Sequence, residues 1–295
     1  MDFVTQRIDI EANVDTVLVK DRRVVDNMLS VEKNYSVVDY CERIQTEIAP
    51  HMRKIVTDWM LEVCQDQQCQ PEVFFLAVNY LDRFLSLVNI KKNQFQLLAS
   101  VCILLASKFT QVVPITTAQM VIYTDNLITG EQLKEWEVEV LDVLHWELST
   151  PTAHSFLDHF CNSEDMKNCN NVIRRQAETI AALAATEYKF ITTKQSIVAA
   201  AALAAAVQQT VEDQAVIENV VKQAAAMIKC LPSEILFYQE HVAEFSSNLP
   251  KMNLPTKEYN QEYNYPDTKT LHSTETSISP ITPTDSYRVF EVMAA

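Results

Sequence analysis

The closest pair of histidines in the chain, His154 and His159, are five residues apart. A helical two-histidine metal site needs a spacing of four, which puts both rings on one face, so this pair does not read as one. Cys64 and Cys69 are also five apart and have no accompanying histidine cluster, whereas a zinc site needs four convergent ligands. No Ser-His-Asp order can be assigned. The carboxylates are scattered over polar stretches, where solvated charge accounts for them. Gly130 is the one glycine, so neither GxGxxG nor GxxxxGK[ST] can occur and nucleotide-binding loops of those types are excluded. The expectation is a protein with no catalytic residues, no cofactor and no metal.

The surface charge narrows the choice of partner. The formal net charge is −15 over 295 residues, which repels phosphate, so nucleic acid and anionic membrane are not expected partners. The longest uncharged apolar run, Ile197 to Val207, is too short to span a bilayer. The N-terminus carries Asp2, Arg7, Asp9 and Glu11 and does not read as a signal peptide. The seven cysteines lack paired spacing and are read as reduced, mostly core residues of an intracellular protein.

Apolar residues make up 48% of the chain, enough for a core, and they recur at helical spacing. The helix from His51 to Cys64 organises the rest. Its stripe of Met52, Ile55, Val56, Trp59, Met60 and Val63 covers about 180° of the surface, against roughly 100° for a helix buried on one core. Either one apolar surface is offered to a partner, or the helix packs between two neighbours.

Further helices are read over Asp21–Asn34, Val37–Ile48, from Pro71 to Val88, and over Lys91–Phe109. The last of these contains Leu97–Ala106, apolar on every side, which places it at the centre of a bundle. A short helix capped by Thr116 or Thr117 follows, then one from Gly130 through Trp146. A second set runs over His154–Phe160, Val172–Tyr188, the alanine-rich Ile197–Val207, Val216–Ile228 and Pro232–Phe245. The two all-apolar helices lie about 100 residues apart, each near the third place in a unit of roughly five, which is a weak internal repeat. Pro50, Pro71, Pro114, Pro151 and Pro232 all fall at helix boundaries. From Leu249 the composition turns to Pro, Thr, Ser, Asn and Tyr, and such a segment cannot bury enough surface to offset its ordering entropy. The expected organisation is all-α: a flexible arm over 1–20, a first helical unit with its preceding helix over 21–150, a second over 151–248, and a disordered tail over 249–295.

Several motifs in order carry a resemblance. Met52-Arg-Lys-Ile-Val, Trp59-Met-Leu-Glu-Val-Cys64, Asn79-Tyr-Leu-Asp-Arg-Phe-Leu-Ser-Leu87, Leu105-Ala-Ser-Lys108 and Tyr123-Thr-Asp-Asn126 together resemble the cyclin box, and D-type cyclins in particular. The resemblance is dense over about residues 50–160 and thinner to 248. It implies two tandem five-helix cyclin-box repeats and a regulatory subunit without catalytic activity. It further implies binding and activation of a cyclin-dependent kinase, the fourth or sixth in D-type members, to promote the G1/S transition through phosphorylation of retinoblastoma-type substrates.

The resemblance also assigns residues. Lys108 and Glu137 match the family's kinase-contacting pair. Met52, Ile55 and Trp59 match a hydrophobic patch that docks Arg-x-Leu-type peptides of substrates and kinase-inhibitor proteins. Arg53 and Asp82 match a structural pair. Thr282-Pro-Thr-Asp285 resembles a C-terminal phosphorylation motif that triggers nuclear export and degradation, with residence in nucleus and cytoplasm, and Ser279-Pro280 is a second proline-directed site. The chain departs from the pattern in three places, one being the lack of an acidic run before Thr282. Met1–Lys20 holds no Leu-x-Cys-x-Glu motif, so direct docking of a retinoblastoma protein is not implied. Gln111 stands near where the family has an acidic residue. Two other classes fit the helices: a cyclin-fold transcription factor, which needs basic faces that the charge of −15 opposes, and a helical scaffold without a kinase, which needs neither Lys108 nor Glu137.

Overall fold

Proline starts three of the long helices. Pro50, Pro71 and Pro232 each sit in a first turn, where the missing N–H removes no hydrogen bond. The computed structural model describes residues 15–163, 166, 169–211 and 213–246. Residues 1–14 and the segment 249–295, with Ser279 and Thr282, lie outside the described residues. Those described form helices and connections, with no β-strand among them.

Three short or peripheral helices come first: α1 (Thr16–Lys20), α2 (Arg22–Glu32) and α3 (Tyr40–Arg43). The first repeat follows as α4 (Pro50–Asp66), α5 (Pro71–Leu85), α6 (Phe95–Thr110), α7 (Thr117–Tyr123) and α8 (Gly130–Val143). The second is α9 (Ala153–Asn162), α10 (Asn171–Thr186), α11 (Gln195–Thr210), α12 (Gln214–Ile228) and α13 (Pro232–Ser246). The all-apolar α6 and α11 each take third place and pack against most of the helices of their own repeat. Leu97 to Ser107 of α6 and Ser196 to Val207 of α11 are buried throughout. The small side chains of α11 allow the close approach of α10 and α13.

Three charged side chains from the first half of the chain close helix ends in the second repeat. Arg53 on α4 binds Asp82 on α5 through Nε to Oδ1 at 2.8 Å and Nη2 to Oδ2 at 2.7 Å. The same guanidinium donates to the carbonyls of Ala185 and Thr186, at the C-terminus of α10, at 2.9 and 3.0 Å. Glu72 on α5 accepts from the hydroxyls of Thr152 and Ser155 at the start of α9. Glu32 on α2 accepts from the Ser196 amide at 2.7 Å and its hydroxyl at 2.9 Å, at the start of α11, which has no side-chain cap of its own. In each case the sign of the charge suits the helix dipole: a cation at a C-terminus, anions at N-termini. Tyr40 donates to Asp82 Oδ1 at 2.8 Å, completing the cluster. Burial alone would pull the Arg53 guanidinium down, but Asp82 holds it above its usual range.

The structure differs from the sequence reading at several points. Residues 16–20, read as part of the arm, form a helical turn capped by Asp15 and packed on α9, where Val19 O lies 2.9 Å from His159 Nδ1. Five residues are too few to show a period. The helix expected over Val37–Ile48 is the single turn α3, because Gln45 leaves the helical path. Its side-chain Nε2 donates to the carbonyls of Leu85, at the end of α5, and Val88, and its Oε1 accepts from Ile90 N. Trp146 lies past the end of α8, in the left-handed region together with His145. With so little glycine, Gln68, Asp125, Asn126 and Lys229 also take positive φ where helices end. Cys161 and Cys169, read as reduced, are joined by a disulfide across the α9–α10 connection, with Cα atoms 5.1 Å apart; the other five cysteines are not in disulfides.

Two measurements check the cross-repeat caps. Arg53→Met leaves Asp82 buried without its cation and is expected to lower stability by about 3–5 kcal/mol, with part recovered in Arg53→Met/Asp82→Leu. A single-variant loss under about 1 kcal/mol in denaturant unfolding would contradict this. The second concerns pH. Burial raises the Glu72 carboxyl above its usual range, against the pull of His154 and the two hydroxyls. The folded chain therefore keeps this proton to a higher pH than the unfolded chain, and the contribution of Glu72 to stability declines as pH rises. Glu72→Gln abolishes that decline, so the variant should gain on wild type between about pH 4 and pH 7; parallel stability curves would refute it.

Candidate functional site

α6 ends at Thr110, and its last turn carries the one charged residue of an otherwise uncharged helix, Lys108. Cations are favoured there by the helix dipole, which by itself would account for a solvated lysine. Lys108 is not simply solvated. Its Nζ lies 2.5 Å from Glu137 Oε1 on α8. The lysine side chain is 43% exposed and the glutamate 19%, so the pair is open to an approaching partner. α8 is fixed against α6 by buried Leu133, Val140, Leu141 and Leu144, which hold Glu137 in reach.

Behind Lys108 the chain turns sharply. Ser107 donates to Gln111 Oε1 at 2.8 Å and accepts from Ile115 N at 2.7 Å, bracing the connection to α7. Gln111, where the resemblance leads one to expect an acid, is thus a structural brace. Large apolar residues stand exposed on the same elements: Phe109 beside Lys108, Val112 and Val113 in the braced turn, and Val138 beside Glu137. The sequence reading did not single these four out. Their signal was apolar character off the buried face of α8 for Val138, and past the buried run of α6 for Phe109, Val112 and Val113. An ion pair surrounded by exposed apolar side chains can exchange its partners for those of another protein while the apolar groups become buried.

α4 packs between α5, α6 and α10, so the second reading of its broad apolar stripe accounts for most of its width. Val56, Met60 and Val63 are core, and so is Trp59, only 3% exposed. Met52 and Ile55 are partly exposed, and the Met52 sulfur accepts from Ala49 N at the start of the helix. Any contact here therefore reaches Met52 and Ile55 with Trp59 beneath, not an open tryptophan face. Arg53 and Asp82 lie inward, as described above, and reach across to the second repeat, beyond the first-repeat role expected of them.

His154 does not meet His159. It lies near Asp158 and Glu178, with ligand atoms within 4.8 Å of one another. Arg174 already supplies the cation there, paired with Asp158 and, at 3.0 Å through Nε, with Glu178. The group is an arginine–carboxylate network tying α9 to α10.

Residues 23–149 match the family model for the cyclin N-terminal domain, and residues 151–276 the model for the cyclin C-terminal domain. Similar curated proteins include G1/S-specific cyclin-D1 of Xenopus laevis, 44% identical over 199 residues that span 67% of this chain and 68% of that one. G1/S-specific cyclin-D3 of Homo sapiens is 43% identical over the same shares. Among solved structures, a viral cyclin from herpesvirus saimiri superposes with a TM-score of 0.67 at 22% identity, covering 77% of this chain and 97% of that one, which supports the fold. The two domain models in tandem and the identity to D-type relatives show that the chain belongs to the cyclin family, whose members of this type are regulatory subunits of protein kinases and not themselves enzymes.

Proposed function

We propose that the chain binds and activates a cyclin-dependent kinase of the fourth or sixth class, and so promotes the G1/S transition by phosphorylation of retinoblastoma-type substrates. The observation that carries this reading is the Lys108–Glu137 pair, held by α6 and α8 and flanked by exposed Phe109, Val112, Val113 and Val138. In an active kinase a helix glutamate pairs with the ATP-binding lysine. A partner that makes contacts available only in that arrangement shifts the population toward it. Burial of the four apolar side chains supplies the free energy, and the ion pair sets the register. Lys108 and Glu137, already paired with each other, need little reordering to offer both a donor and an acceptor to the kinase backbone.

Met52 and Ile55, above Trp59, form the docking patch for Arg-x-Leu-type segments of substrates and kinase-inhibitor proteins. Phosphorylation at Thr282, with Ser279 as a second site, marks the chain for export and turnover, which places it in nucleus and cytoplasm by turns.

The kinase contact is tested by Lys108→Glu. The pair is partly exposed, so the variant should remain folded, with a stability change under about 1 kcal/mol. It should no longer co-purify with the kinase or stimulate phosphorylation of a retinoblastoma-type tail. Full stimulation by the folded variant would remove Lys108 from the contact. A Thr282→Ala chain should turn over more slowly in a pulse–chase measurement, and unchanged turnover would exclude the proposed mark.

A further inference from the structure

A cleft of about 320 Å³ opens beside α8, between its outer face and the chain leaving α5. Phe84, Val88 and Ile90 form the apolar side, and Trp136 stands against Phe84 with ring centroids 6.3 Å apart. Glu135 and Glu139 line the opposite side. They are one turn apart on the same helix face, where like charges repel by about 0.2–0.5 kcal/mol in isolated helices. Both are exposed, and neither has an ion-pair partner among the described residues. None of the lining residues is cationic. Apolar residues, an aromatic wall and two unneutralised carboxylates thus converge on one opening.

We propose that this cleft docks an arginine side chain from an extended segment of a partner protein. A guanidinium is planar, so it can lie along the Trp136 indole while its fork of N–H groups reaches both carboxylates. The methylene stem covers the half-buried Val88, with Phe84 beneath. Lysine has the charge but neither the plane nor the fork. The occupant also relieves the repulsion between Glu135 and Glu139. Glu135 and Glu139 each stand two residues from Glu137, a rotation of about 200° on a helix, so the cleft opens away from the Lys108–Glu137 pair. Both surfaces can therefore be occupied together. The cleft shares no lining residue with the Met52–Ile55 patch, whose proposed ligands carry a leucine as well as an arginine.

The test is fluorescence anisotropy with the full chain and a labelled Gly-Ser-Arg-Ala-Arg-Ser-Gly peptide, which has no leucine for the other patch. Wild type should bind it. Glu135→Gln/Glu139→Gln should weaken binding at least about tenfold, and Trp136→Leu several-fold, with helical content by circular dichroism unchanged. A control of equal charge change at distant exposed carboxylates, Asp125→Asn/Glu240→Gln, should stay within about twofold. The matching lysine peptide should bind several-fold more weakly. Stimulation of the kinase by Glu135→Gln/Glu139→Gln should be retained, which separates failure of this proposal from failure of the kinase contact. The proposal is overturned if wild type does not bind the peptide, or if the distant control weakens binding as much as the cleft variant. It is equally overturned if Met52→Ala/Ile55→Ala abolishes binding, or if the lysine peptide binds as well as the arginine one.

Discussion

Arg53 is buried with its charge intact, and everything it touches is fixed as a consequence. A guanidinium removed from water needs a carboxylate and oriented acceptors, and here they come from two elements: Asp82 on α5 and the last carbonyls of α10. Tyr40 completes the shell of Asp82. One side chain therefore fixes the opening helix of the first repeat, its second helix and the second helix of the other repeat. Glu72 and Glu32 do the same at the N-termini of α9 and α11. Apolar burial supplies most of the stability of such a bundle, but it is non-directional. The charged caps select one relative placement of the two repeats from the many that would bury similar area.

That placement bears on function through α6 and α8. The proposed contact face of Lys108, Glu137 and four apolar side chains can bias a kinase only if it does not yield when the kinase presses on it. α6 is enclosed on all sides, so Lys108 leaves the core at a fixed point. The Ser107–Gln111 brace then sets the path of Val112 and Val113. The same rigidity keeps the acidic cleft on the far side of α8 at a constant angle to the kinase contact. On the two proposals above, one helix presents two chemically different faces to two partners.

The helix order was legible because proline punctuates it and because the two all-apolar helices have no other place than a bundle centre. The position of Lys108 stood out for a related reason: it is the one charge of an otherwise uncharged helix. The cross-repeat caps did not. Glu32 and Ser196 are 164 residues apart, and a glutamate at the end of a helix has no local pattern that reveals a distant hydroxyl. Trp59 was matched to a docking patch by resemblance and is buried here, a depth that helical periodicity could not give because it cannot tell a stripe facing a partner from one packed inside. α3 was overlong in the sequence reading because the apolar period over Val37–Ile48 persists even where Gln45 leaves the helix to cap α5. In each case local pattern gave the element, and a long-range polar contact decided where it stopped or what it faced.

The central claim is a preformed face on the first repeat that engages the kinase without remodelling either core. Hydrogen–deuterium exchange of the full chain, with and without kinase, tests it most directly. The expected result is new protection confined to the end of α6, the braced turn through Val113 and the middle of α8, with the cores of α6 and α11 slow in both states. Protection appearing instead on α12 and α13, or a kinase-dependent change throughout α11, would contradict it.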